Sequence, residues 1–448
     1  MRYIPSSPAE RKKLLQVLGL DSSERLFDSI PAAYRLKRPL NLPPPQAEAD
    51  LVAHMRELSR RNLDPYESAV FLGGGAYRHF IPAVVDHLIS RAEFYSSYTP
   101  YQPEFSQGTL QGIFEFQTLI CQLTGLEVAN ASLYDGASAL AEGILLAHRA
   151  KRRSRVVVAG GIHPEYVRVA RTLTSRLDIE MITPPLGSDG SASLDTIDSI
   201  LTSQTAALVI QQPNFLGRVE DVEILAEAAH RVGALCVVVV NEAVSLGLLR
   251  APGSLGADVV LGEAQSLGVP LSFGGPYLGF MAVRSEYVRE LPGRLVGQAK
   301  DSQGRVGYVL TLATREQHIR RERATSNICT NEGLCMLAAT LFMATLGKQG
   351  MRELALQNHS RAEYAKAALA RIPGCRIPHP GPTFNEFVLE LPKEASAVHR
   401  KLLARGTVAG LPLGRFFPER KKDLLICVTE VNSRSQIDRL VKEMEEVL

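Results

Sequence analysis

The chain has 448 residues, 50 of them basic and 47 acidic, for a formal charge of +3. That length exceeds one ordinary domain and allows a large core with a smaller companion. Charge is nearly balanced and no five like charges run together, so neither a nucleic-acid track nor a polybasic membrane anchor is expected. The opening MRYIPSSPAERKK has no apolar signal core, and no stretch approaches the roughly 18 continuous apolar residues of a membrane helix, which predicts a soluble cytoplasmic protein. The six cysteines are far apart, without a C-x-x-C pair or a histidine at ligand spacing, so reduced thiols and no metal site are expected.

Residues 1–65 mix helical segments with the cluster RPLNLPPP. The cluster cannot be helical and predicts an extended arm over a surface, of the kind that embraces a partner subunit. Next, FLGGGAYRHFIPAVV places three consecutive glycines before Tyr77 and His79, which permits a close approach to a neighbour. His79 could poise a proton near neutral pH, or be structural beside its aromatic neighbours. Residues 94–108, FYSSYTPYQPEFSQG, form a proline-stiffened loop in which Tyr95, Tyr98 and Tyr101, with Gln102, offer flat faces and polar tips. Such a set suits a pocket for a small or planar ligand, and it also suits a rigid interface.

In ASLYDGASALAEGILLAHRA the chain passes through Gly136, Ala137 and Ser138 directly into a helix, whose free amides would favour a phosphate. Asp135 as an ordinary N-cap explains the same residues without a ligand. RVVVAGG, ALVIQQPN and LCVVVVN are short β-branched runs separated by amphipathic helices such as DVEILAEAAHRVG, the pattern of a parallel α/β sheet. These elements predict a large α/β domain over residues 66–345. The apolar run LCMLAATLFMATLGKQG then leads into a small α+β domain over residues 346–448. TREQHIRRERATSNICTN gathers Arg315, Arg320, Arg321 and Arg323, either a fork for an anion or a solvated charge cluster.

The segments YTPYQPEFSQG, QTLICQLTGLEVANASLYDG, HPEY at 163–166, GEAQSLGVPLSFGGPYLG, RRERATSNICTNE and LGRFFPE occur in this order along nearly the whole chain. They resemble the glycine cleavage P-protein family, and within it the alpha subunit of the two-chain bacterial form. The resemblance implies a fold-type I pyridoxal-phosphate-dependent transferase fold, with a mostly parallel seven-stranded sheet and a small C-terminal domain. In that fold an acidic residue at a strand end pairs with the cofactor's pyridine nitrogen, and a lysine further on forms an imine. Glu242 stands at the acidic position here, and Gln265 where the lysine is due.

A glutamine amide cannot form an imine, and none of the twelve lysines lies between Lys151 and Lys300. The resemblance therefore implies a vestigial cofactor pocket at Gly136, Ala137, Ser138, His163, Glu242 and Gln265. Pyridoxal phosphate would be held by a partner beta subunit, in an alpha2beta2 assembly. Tyr95, Tyr98, Tyr101, Gln102 and His79 would face the partner's site. The implied reaction decarboxylates glycine and passes the aminomethyl group to the lipoyl arm of the H-protein. A self-sufficient cofactor enzyme and a purely structural or regulatory paralogue are the alternatives.

Overall fold

The expected β-branched runs form the centre of a seven-stranded sheet in the computed structural model, which describes residues 6–65, 67–95 and 98–448. The strands are β1 (Val128–Ala129), β2 (Arg155–Val158), β3 (Glu180–Ile182), β4 (Thr205–Gln211), β5 (Leu235–Val240), β6 (Val259–Glu263) and β7 (Gly279–Val283). They lie in the order β1-β7-β6-β5-β4-β2-β3. Neighbours from β6 through β3 are parallel, whereas β7 runs antiparallel to both β6 and β1.

Every residue of β4, β5 and β6 is buried, because helices cover both faces of the sheet. Alternation along the strands divides the core. Leu208, Ile210, Val238 and Val240 pack on one side with Phe116 and Ile120 of helix α1 (Gln107–Thr124). Val209, Val237 and Val239 pack on the other with Leu140 and Ile144 of α2 (Gly136–Lys151). Two further covering helices are α3 (Pro164–Thr174) and α4 (Val222–Arg231). α4 stops where expected, with Gly233 at φ 72° supplying the left-handed turn that ends it.

After β7 come an antiparallel hairpin, β8 (Leu295–Lys300) with β9 (Val306–Thr311), and the long helix α5 (Gly333–Leu369). α5 spans the expected 345/346 division and breaks at Gly347, whose φ of 62° is not helical. The C-terminal sheet comprises β10 (Glu386–Glu390), β11 (Leu411–Pro412) and β12 (Asp423–Cys427), in the order β10-β12-β11. Helices α6 (Ala395–Leu403) and α7 (Arg434–Val447) pack Leu402 and Leu440 against Phe387, Leu424 and Ile426 of that sheet. The chain just before the triple glycine joins this region, with Ala69–Val70 running parallel to Thr407–Val408.

The molecule divides into two compact units, Met1–Leu63 and Asp64–Leu448. In the first, helices Pro8–Val17 and Glu48–Ser59 bury none of their side chains, and RPLNLPPP holds neither helix nor strand. Residues 1–5 of the expected arm, the expected domain edge at Tyr66, and Ser96 and Ser97 of the aromatic segment lie outside the described residues. By length and composition α5 is apolar enough to cross a membrane, although no 18 of its residues in a row are apolar, and Ala339, Phe342 and Ala355 within it are fully covered.

Candidate cofactor pocket and aromatic cleft

At the end of β5 the chain turns through Asn241 and Glu242, and Glu242 is 2% exposed. Its Oε1 accepts the N–H of Val244 at 3.0 Å, and its Oε2 accepts from Asn385 Nδ2 at 3.0 Å. The same Oε2 lies 3.1 Å from His79 Nε2, while the other ring nitrogen of His79 lies 2.8 Å from Glu430 Oε2. Glu430 is fixed in turn by the N–H of Phe80 at 2.6 Å and by Asn358 Nδ2 at 2.9 Å. Burial by itself favours a neutral His79 ring, but the charge of Glu242, its hydrogen bond and those of Glu430 outweigh it and push the ring up to about 10.

Gln265 follows β6, and its amide is fully used. Its Oε1 accepts the Tyr77 N–H at 2.8 Å, and its Nε2 donates to the carbonyls of Tyr77 at 2.9 Å and Val269 at 2.8 Å. The Tyr77 hydroxyl donates to Glu386 Oε2 at 2.8 Å, and Glu386 Oε1 accepts the Gly74 N–H at 2.6 Å. Burial pushes the Glu386 carboxyl up to about 7. His163 caps α3 by accepting the Glu165 N–H on Nδ1, which leaves Nε2–H to donate to the Gly74 carbonyl at 2.8 Å. Its ring stacks on Tyr166 with centroids 4.9 Å apart and meets Phe215 edge-on at 4.7 Å.

The start of α2 is occupied in the same way. Asp135 is the N-cap, its Oδ1 accepting the Ser138 N–H at 2.7 Å. The Gly136 N–H donates to Glu263 Oε2 at 2.9 Å, and Glu263 Oε1 also accepts from Leu278 and Gln265. Burial pushes the Glu263 carboxyl up to about 7. Glu263 joins Gly136 to Gln265, and Glu386 joins Gln265 to His163 through Tyr77 and Gly74, while Glu242 meets Glu430 only through His79. The sequence marks none of Glu263, Glu386 and Glu430 as a site residue. Glu263 was within reach, standing inside the quoted GEAQSLG; the other two lie in stretches without a motif.

These residues do not fit pyridoxal phosphate. Gln265 brings no amine, and both oxygens of Glu242 already have partners. The Gly136 and Ser138 amides face carboxylates, which would repel a phosphate. A methyl added to Gly75 would sit 2.8 Å from His163 Cδ2, so no ring enters between that backbone and His163. The anion expectation at the head of α2 is corrected accordingly: its amides answer to Asp135 and Glu263.

The aromatic segment lies elsewhere and faces outward. Tyr95, Tyr98 and Tyr101 are 68%, 73% and 75% exposed, and Gln102 is exposed beside them. The Tyr98 hydroxyl is 3.3 Å from Thr330 Oγ1, and Thr99 pairs with Arg294. Beneath lies a cavity of about 350 Å³, lined by Phe94, Tyr95, Tyr98, Ile113, Glu332 and Met336 among others. His79 does not belong to this group. The expectation that it faces outward with the tyrosines is corrected, because its side chain is 2% exposed and enclosed by carboxylates. The arginines do not converge either: Arg315 turns inward to the Gly293 carbonyl, while Arg320, Arg321 and Arg323 stay exposed.

The sequence profile of the glycine cleavage system P-protein matches residues 1–444. The probable glycine dehydrogenase (decarboxylating) subunit 1 of Moorella thermoacetica is 50% identical over 448 residues and covers all of both chains. Its counterpart from Thermomicrobium roseum is 49% identical, covering 100% of this chain and 99% of that one. A crystal structure of glycine decarboxylase (P-protein) of the glycine cleavage system, in inhibitor-bound form, superposes with a TM-score of 0.91 at 44% identity over all of both chains. Lactobacillus brevis glutamate decarboxylase shares the fold alone, with a TM-score of 0.68 at 13% identity over 94% of this chain and 97% of that one. The match from end to end, in sequence and in architecture, makes this chain a member of the glycine cleavage system P-protein family.

Proposed function

We propose that this chain is the subunit of glycine dehydrogenase (decarboxylating) that does not anchor the cofactor, and that it works by completing the site of a second, non-identical subunit. The observation that carries the reading is Gln265. It stands where an imine-forming lysine is due, with its amide bonded on both sides to the backbone of Tyr77 and Val269. A partner beta subunit would hold pyridoxal phosphate, which supplies the electron sink for decarboxylating glycine. The assembly would be alpha2beta2 and cytoplasmic, with the aminomethyl group passing to a lipoylated H-protein.

This chain's part falls to the outward face around Tyr95, Tyr98, Tyr101 and Gln102. Rings exposed beside a ready-made cavity can seat against a partner, exclude water from its site and present hydroxyl donors at the rim. Each of these three tyrosines is more than two-thirds exposed, an unusual loss of apolar burial for a segment with no partner to meet.

Glycine-dependent exchange of labelled carbon dioxide tests the proposal, with pyridoxal phosphate and lipoylated H-protein present throughout. This chain alone, the partner alone and the mixture are compared. Exchange is expected only in the mixture. Exchange by this chain alone would support a self-sufficient enzyme and defeat the argument from Gln265, and full exchange by the partner alone would make this subunit structural or regulatory.

A further inference from the structure

The three glycines at 73–75 let the backbone enter a slot that no side chain could share. A Cβ on Gly74 would lie 2.9 Å from Leu411 Cδ2, and one on Gly75 would meet His163 as described. Gly74 and Gly75 also take φ of 78° and 106°, which glycine alone adopts freely. Beyond the slot the segment spreads over the same floor that Glu242, Gln265 and His163 form. Gly74 bonds to His163 and Glu386, Tyr77 to Gln265 and Glu386, and His79 to Glu242 and Glu430.

We propose that Glu242 and Glu430 form a binding site for a planar cationic nitrogen heterocycle, and that residues 73–79 are its resident ligand, delivering the ring of His79 in place of a bound molecule. Both ring nitrogens face a carboxylate oxygen. A neutral imidazole has one N–H and one lone pair, so it would set a lone pair against one of the carboxylates. Only the ring with both nitrogens protonated satisfies the two acids. No other cation is hydrogen-bonded to the carboxylate of Glu242 or Glu430 among the described residues. Removing the ring would leave two buried acids uncompensated. The inference deepens the reading that the pocket is vestigial, and it does not depend on the reaction the assembly performs.

The test is chemical rescue of the full chain. His79→Gly should lower the melting temperature by roughly 5 °C at pH 7. Imidazole added at tens of millimolar, a range set by the weak affinity of so small a ligand, should restore most of that loss. Toluene, flat and neutral, should not restore it. Equal rescue by both probes would reduce the site to a packing void, and rescue by neither would overturn the proposal. A second measurement needs no variant: nitrogen-15 spectra of the histidine-labelled native chain at pH 8 should show one buried ring with N–H at both nitrogens. A spectrum in which no buried ring carries N–H at both nitrogens would also overturn it. Either failure leaves the argument from Gln265, and the exchange experiment built on it, intact.

Discussion

Between Glu242 and Glu430 the titration of His79 is displaced upward from 6.5 to about 10. A group whose protonation is favoured by folding stabilises the fold fully below its unfolded value, and that contribution is lost as pH rises through the folded value. The charged and polar groups around the ring are Glu242, Glu430, Asn358 and Asn385, with Arg361 on the Glu430 carbonyl and Glu386 behind Glu242. The melting temperature should therefore fall between about pH 7 and pH 10, by roughly 5 °C or more. In His79→Gln no imidazolium remains to titrate, so the fall between pH 7 and pH 10 should largely disappear. A variant curve that kept its fall between pH 7 and 10 would assign the titration to other groups. Glu263 and Glu386, raised to about 7, lose their contribution below this window, as pH rises from about 4.5.

Elements differ in how much of them the sequence discloses. The central strands are legible because short apolar runs holding two to four consecutive β-branched residues, such as Val237–Val240, leave little choice other than a buried parallel strand. The triple glycine is legible as a place of close approach, but Glu386, Gln265 and Glu430, the partners of Gly74, Tyr77 and His79, lie about 190 to 350 positions away, and no local pattern encodes such pairs. For the same reason His79 was grouped with the tyrosines that follow it, when the fold carries it inward. The tyrosine segment itself keeps an open role, and it yields a prediction. Tyr98 is 73% exposed with one long hydrogen bond, so Tyr98→Ala should leave the melting temperature nearly unchanged. Carbon dioxide exchange by the mixed subunits should nevertheless drop at least about tenfold. Unchanged exchange would remove the aromatic cleft from the shared site.

For the molecule as a whole, the unit Met1–Leu63 is the part whose apolar residues have least to pack against. Leu14, Val17, Leu18, Leu40 and Leu42 are all more than half exposed. A segment of this composition is normally covered by something, and the proposed second subunit is the natural occupant. Deleting residues 1–63 should leave residues 64–448 folded, because that unit carries all four hydrophobic core clusters. The deletion should weaken association with the partner by about a hundredfold, measured by sedimentation or calorimetric titration. Undiminished association would place the interface wholly on the larger unit.

The pocket filled by residues 73–79 also bears on the order of assembly. A protein that must capture a small molecule gains stability in proportion to the logarithm of that molecule's concentration, about 4 kcal/mol at a thousand times the dissociation constant, and loses it when supply fails. Here the occupant is covalently part of the chain, so its effective concentration never varies. On the proposed reading, synthesis alone would fill this pocket, whereas a subunit that anchors the cofactor would depend on its supply.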